Sequence, residues 1–264
     1  MYLIDTHCHL TEPRLASMLE PLLERASMVG VKKVISVGTT AQTSRECLEI
    51  AERHPMVHAA IGIHPTYCHE QTDDDWALIQ TWVDHPKVVA LGETGLDLYW
   101  KECPLETQQK FFANHWELSR KTKLPLIIHM RECTQEMLDA LTREREQGPL
   151  RGVLHSFSES LVVAERLIDM GLYISFAGMV TYKKSQDLRD VAAQLPADRI
   201  LVETDAPYLS PEPYRSQRPN EPQLVVHTAD CVAKARGISR SELAHLTTRN
   251  AHELFPKLGT FAPP

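Results

Sequence analysis

The feature that most restricts this chain is a recurrence. Short apolar bursts of four to seven residues return along it eight times: Tyr2–His7, Lys33–Gly38, His58–Ile63, Val88–Glu93, Leu126–His129, Gly152–His155, Tyr173–Ala177 and Arg199–Asp205. Runs so short and so rich in Val, Ile and Leu predict buried strands. Between them lie stretches with apolar residues at helical spacing, such as Leu15, Met18, Leu19, Leu22, Leu23 and Ala26, or Leu161, Ala164, Leu167 and Ile168. Strands that alternate with helices predict a parallel sheet, because parallel neighbours need a long crossover between them. Eight such units most simply close into an α/β fold, the (β/α)8 TIM barrel, which fills about 250 residues as one domain. One domain over residues 1–264 is therefore expected. After the eighth strand an irregular excursion from Pro207 to Pro222 carries five prolines, and two helices, roughly Gln223–Ala235 and Ser239–Leu254, finish the chain. The competing open, doubly wound sheet lacks support, since no G-x-G-x-x-G or P-loop phosphate turn follows any burst.

Polar residues end several of these bursts. His7 and His9 are two apart on a strand, which puts both imidazoles on one face and Cys8 on the other. Glu93, His129, His155 and Asp205 each directly follow an apolar run. In a barrel the C-terminal strand ends converge on one mouth, so these six side chains should meet. Four imidazoles and two carboxylates packed without a cation would leave several costly buried polar groups, which a cation relieves. Their mixed nitrogen and oxygen donors suit two divalent metal ions (Zn²⁺, Mn²⁺, Fe²⁺ or Mg²⁺) sharing a bridging carboxylate, an arrangement that activates water for hydrolysis.

Charge narrows the partners. The chain has 28 Lys and Arg against 35 Asp and Glu, a net charge of −7 and a pI near 6.0, which argues against coating duplex DNA by neutralising many phosphates. It leaves room for nucleic acid at a small, metal-charged site. No apolar run approaches the ~20 residues of a membrane span, the N-terminus has no basic signal-peptide region, and the six cysteines form no C-x-x-C pair. A cytoplasmic protein with reduced thiols is expected, with no membrane contact and no obligate protein partner evident.

The phrases Ile4-Asp5-Thr6-His7-Cys8-His9-Leu10, Gly62-Ile63-His64-Pro65, Ala90-Leu91-Gly92-Glu93-Thr94-Gly95-Leu96-Asp97, Leu124-Pro125-Leu126-Ile127-Ile128-His129, Gly152-Val153-Leu154-His155-Ser156-Phe157 and Leu201-Val202-Glu203-Thr204-Asp205-Ala206-Pro207-Tyr208-Leu209 together span nearly the whole chain. In that order they resemble the signature set of the TatD family of metal-dependent deoxyribonucleases. The resemblance implies a metallo-dependent hydrolase barrel and a divalent-metal DNase that works as an exonuclease on DNA ends, single-stranded or frayed. It also implies roles. His7, His9 and Asp205 resemble the ligands of one ion, His129 and His155 those of the other, and Glu93 the bridge, with Glu93 and Asp205 catalytic. His64 resembles a residue facing the scissile phosphate. One departure is visible: where the family commonly continues Cys-Phe-Thr-Gly after the sixth-strand histidine, this chain has Ser156-Phe157-Ser158-Glu159.

Further candidates are weaker. Glu203, two residues before Asp205, is placed either to hydrogen-bond a ligand imidazole or to form a buried ion pair. Arg131, Lys183, Lys184, Arg215 and Arg218 are candidate phosphate contacts, with Arg131, two residues past His129, foremost. Phe157, Tyr182 and Tyr208 are candidates for stacking a terminal base, although packing suits each as well. The rival readings are a metal-dependent amidohydrolase or an aminoacyl-tRNA deacylase on the same barrel, because ligands alone do not separate carbonyl from phosphoryl chemistry. A non-catalytic barrel is disfavoured by the complete ligand set.

Overall fold

The computed structural model describes residues 2–259. The expected span of 1–264 extends past it, Met1 and residues 260–264 lying outside the described residues. Eight strands are paired in sequence order within one sheet: β1 (Leu3–Cys8), β2 (Val31–Val37), β3 (Val57–Ile61), β4 (Val88–Asp97), β5 (Leu126–Arg131), β6 (Gly152–Leu154), β7 (Tyr173–Phe176) and β8 (Ile200–Val202). Every pairing is parallel, with helices in the crossovers, as the alternating pattern predicted. The seam between β1 and β8 is drawn together by a parallel bridge, Cys8 to Ala206. Around it the Asp205 amide donates to the His7 carbonyl (2.9 Å) and the His9 amide to the Ala206 carbonyl (2.7 Å). Just below, the buried Asp5 carboxyl accepts from the Thr204 amide (2.9 Å) and hydroxyl (2.6 Å), and burial pushes its pKa up to about 8. The result is a (β/α)8 barrel.

Side chains alternate between the bore and the helical shell. Leu126 and Ile128 of β5 pack outward, whereas Ile127 joins Ile4, Ile35, Val89, Val153 and Leu201 inside. The floor of the bore is plugged by Leu254, Phe255 and Leu258. These come from the end of the second C-terminal helix, Arg240–Leu254, and the short turn after it, Pro256–Leu258. That helix starts where Ser239 and Glu242 form a capping box. Simple alternation places His129 and His155 in the bore directly above Ile127 and Val153. β1 reaches the same result differently: a register irregularity between Asp5 and Cys8 changes its parity, so that both Ile4 and His7 face inward while Cys8 packs outside.

Most strand ends lie within two residues of the sequence reading, and the two that depart further are those of β4 and β8. β4 does not stop at Glu93 but runs to Asp97, because Gly95 has φ +144° and no Cβ to collide with the His129 carbonyl. β8 ends at Val202 rather than Asp205; Asp205 has a left-handed φ of +54°, which turns its carboxylate into the mouth. Among the described residues no helix is long and apolar enough to cross a membrane.

Candidate metal centre

The two oxygens of Glu93 face two different sets of imidazoles. Oε2 lies 3.3 Å from His7 Nε2 and 3.5 Å from His9 Nε2. Oε1 lies 2.9 Å from His129 Nδ1 and 2.8 Å from His155 Nε2. Asp205 Oδ1 completes the first set, 3.5 Å from His9 and 3.7 Å from His7. Three groups of donor atoms are close enough to hold a cation: His7, His9 and Asp205; His7, Glu93 and His155; and His64, Glu93 and His129. The structure thus brings together all six side chains named from the strand ends, together with His64.

Ring orientation tells donors of lone pairs from donors of protons. His9 Nδ1–H donates to the Val37 carbonyl (3.1 Å) and His129 Nε2–H to Asp97 Oδ2 (2.9 Å), so each turns its other nitrogen to the centre. His155 Nδ1 lies 3.3 Å from Glu203 Oε1, which also accepts from the Ser156 amide at 2.7 Å. Partners on the far nitrogen are how metal-binding histidines are commonly fixed. His64 is wired the opposite way. Its Nδ1 accepts from the Thr66 amide (3.2 Å) and sits 2.7 Å from the Thr66 hydroxyl, so Nε2 carries the proton, 3.4 Å from Glu93 Oε1. Burial lowers its pKa to about 4, which keeps the ring neutral and a donor toward the centre.

The charge balance fits a cation. Burial alone would raise Glu93, but His155, His64 and His7 around it hold it well below the usual carboxylate range. Burial alone would lower His155, but Glu93 and Glu203 raise it well above the usual imidazole range. His129 is likewise raised, by Asp97 and Glu93 against the effect of burial. Without a metal, protons on these imidazoles balance the carboxylates. Cations take the place of such protons when they bind, because ligands must be deprotonated.

The remaining candidates separate. Glu203 lies beside His155, its Oε1 3.3 Å from Nδ1. Phe157 is buried and packs edge to face near Phe176, so it serves the core and not a base. Tyr208 is exposed, its ring 6.1 Å from that of His9. Arg215 lies 4.1 Å over the Tyr182 ring; Lys183, Lys184 and Arg218 point into solvent, and Glu159 is half-buried. Arg131 is exposed at the end of β5, stacked 3.8 Å over Tyr99. The sequence reading gave Asp97 no role. The signal was present: Glu93 and Asp97 lie four positions apart on one strand, hence on one face, but the apolar burst ends at Glu93.

Comparison with known proteins supports the same chemistry. The family model for TatD related DNase matches residues 4–256. YabD of Bacillus subtilis, described as an uncharacterized metal-dependent hydrolase, is 37% identical over 253 residues, covering 96% of this chain and 98% of the relative. YcfH of Escherichia coli, described in the same words, is 36% identical over 258 residues, covering 97% and 96%. The crystal structure of YjjV, a TatD homologue from Escherichia coli K12, superposes with a TM-score of 0.89 at 33% identity, covering 96% of this chain and 98% of that one. An organophosphorus hydrolase from Deinococcus radiodurans shares the fold at a TM-score of 0.67 and 16% identity.

Proposed function

Because this chain belongs to the TatD-related DNase family, we propose that this metal-dependent hydrolase is a deoxyribonuclease that removes nucleotides from DNA ends. The observation that carries the reading is the division of labour at Glu93. One carboxylate oxygen serves each imidazole set, as a bridge between two divalent ions requires, while His64, whose Nδ1 accepts from the Thr66 amide, turns an N–H toward Glu93. Bound ions of this kind would supply positive charge to a phosphate oxygen and acidify water; Zn²⁺, Mn²⁺, Fe²⁺ and Mg²⁺ all suit such N/O donors to differing degrees.

The chain's own groups supply the rest. His7, His9 and Asp205 hold one side, His129 and His155 the other. Asp205, partly open to solvent beside His9, orients the attacking water and accepts its proton. The His64 Nε2–H donates to a non-bridging phosphate oxygen, and Arg131 holds a neighbouring phosphate. With a net charge of −7 few other cations are at hand, which favours recognition of the last nucleotides of a strand over a long duplex track. A cytoplasmic location fits this role.

The test uses metal-loaded protein on linear and circular single-stranded DNA, duplex DNA, RNA, and a panel of small esters and amides. Linear DNA should be shortened from an end while circles persist. Cutting of circles would overturn the end requirement. Turnover confined to aminoacyl esters or amides would overturn the nuclease reading in favour of a deacylase or amidohydrolase.

A further inference from the structure

Beside the centre two aromatic rings stand against the Arg131 guanidinium. The turn after β4 presents Tyr99 and Trp100, 44% and 49% exposed, with rings edge to face at 5.0 Å and 90°. The Arg131 guanidinium lies 3.8 Å over the Tyr99 ring and 5.9 Å from that of Trp100. Among the described residues it makes no ion pair with a carboxylate. Two exposed rings with an unneutralised cation against them form an apolar surface with a positive edge, a combination that packing does not call for.

The platform is fixed to the metal centre by one residue. Asp97 Oδ1 accepts from the Tyr99 amide (2.9 Å) and the Trp100 amide (3.0 Å), while Oδ2 accepts from His129 Nε2 (2.9 Å). Arg131 comes from the strand that carries His129, paired in register with Asp97. The exposed aromatic residues among those described, Tyr67, Tyr99, Trp100, Tyr208 and Tyr214, all lie in segments following strand ends β3, β4 and β8. They therefore share the face of the barrel on which the centre opens. An occupant matching this surface offers a flat apolar ring beside a negative charge, which is the chemistry of a nucleotide: base on aromatic faces, phosphate on guanidinium.

We propose that Tyr99, Trp100 and Arg131 form a nucleotide subsite in which one base near the end of the strand stacks on the rings and its phosphate meets Arg131. The proposal deepens the nuclease reading and rests on it. Asp97 holds the subsite in register with His129, so that the stacked nucleotide fixes which phosphodiester reaches the ions.

An abasic scan combined with Trp100→Ala tests it. KM is measured on single-stranded oligonucleotides carrying one abasic residue at each of the last four positions, at either end in turn. For the wild type one position should raise KM roughly five- to a hundredfold, the span expected from loss of one stacked base. Trp100→Ala should raise KM by a similar factor on the intact strand, and the abasic residue should then add almost nothing, while Trp100→Phe recovers most of the loss. Abasic and Trp100→Ala losses that multiply, or an abasic scan with no sensitive position, would overturn the subsite while leaving the nuclease reading in place. Wild-type protein that cleaves no oligonucleotide but hydrolyses a small ester would overturn both.

Discussion

The lower and upper halves of the bore are built from the same strands and follow opposite rules. In β5 the sequence Leu126-Ile127-Ile128 fills space, and the next residue, His129, is a half-buried imidazole; in β6 Val153 fills space and His155 follows two residues later. Below, the apolar side chains of Leu254, Phe255 and Leu258 close the floor. Above, five imidazoles and two carboxylates crowd together at distances that would be unfavourable unless protons or cations balanced them. In barrels of this type stability and chemistry divide along the axis in this way. Variants at either end should therefore move one property and spare the other.

The largest effect is expected at the mouth. Glu93→Gln and Asp205→Asn keep side-chain volume and remove charge, and each should lower turnover by at least about a thousandfold, on the order of 4 kcal/mol in the barrier. Both variants should still melt cooperatively. A rate near that of the wild type with Mn²⁺ or Mg²⁺ would remove the affected carboxylate from the mechanism.

At the floor the pattern inverts. Phe255 is fully buried, and Phe255→Ala should cost about 3 to 5 kcal/mol of stability, lowering the melting temperature by roughly 6 to 20 °C for a chain of this size. Turnover per folded molecule at 25 °C should stay within about twofold. Loss of turnover without loss of stability would break the division.

The comparison sharpens within one residue type. At the centre His9, His129 and His155 are pulled up by the carboxylates beside them, whereas His115, buried in the helix Leu105–Thr122, has no carboxylate against it and burial lowers its pKa to about 4. Both its nitrogens are satisfied only when neutral: Nδ1–H donates to the Phe111 carbonyl (2.6 Å) and Nε2 accepts from the Ile63 amide (3.2 Å). With the folded pKa depressed below about 6.5, the unfolded chain binds the extra proton first. The contribution is therefore complete above pH ~6.5 and is lost as pH falls toward 4, in total on the order of 3 kcal/mol. Urea unfolding of wild type and His115→Gln, followed from pH 7.5 to 4.5, should show their stability difference shifting against the wild type by about 1.4 kcal/mol per pH unit across that window. A pH-independent difference would show that His115 protonates in the fold without penalty.

Much of this was legible because packing writes in periods. Eight apolar bursts gave the barrel, and the polar residues ending several of them pointed to the mouth. What escaped depended on backbone geometry that no period records. The parity change in β1 between Asp5 and Cys8 and the extension of β4 through Gly95 to Asp97 are set by neighbouring strands. The tautomers of His9, His64 and His129 depend on the Val37 carbonyl, Thr66 and Asp97, partners 28, 2 and 32 residues away. Tyr99 and Trp100 were invisible for another reason: an aromatic pair in a loop reads as core until its exposure is known.

The smallest and most specific effect should come from Asp97→Asn. The amide oxygen can still accept from the Tyr99 and Trp100 amides, so the turn survives. The amide nitrogen, however, would face His129 Nε2–H, donor against donor, where the carboxylate now accepts at 2.9 Å. The ring relieves this by moving its proton to Nδ1, the atom aimed at Glu93, and in that tautomer it has no lone pair for an ion. Affinity on the His129 and His155 side should fall about 10- to 100-fold, the usual cost of losing such a support, while the His7, His9 and Asp205 side keeps its ligands and its affinity. Calorimetric titration with Zn²⁺ or Mn²⁺ should then resolve two steps, the tighter one unchanged from the wild type. Two unchanged steps would show that Asp97 does not set the His129 tautomer. A single step in the wild type at full loading would overturn the two-ion centre itself.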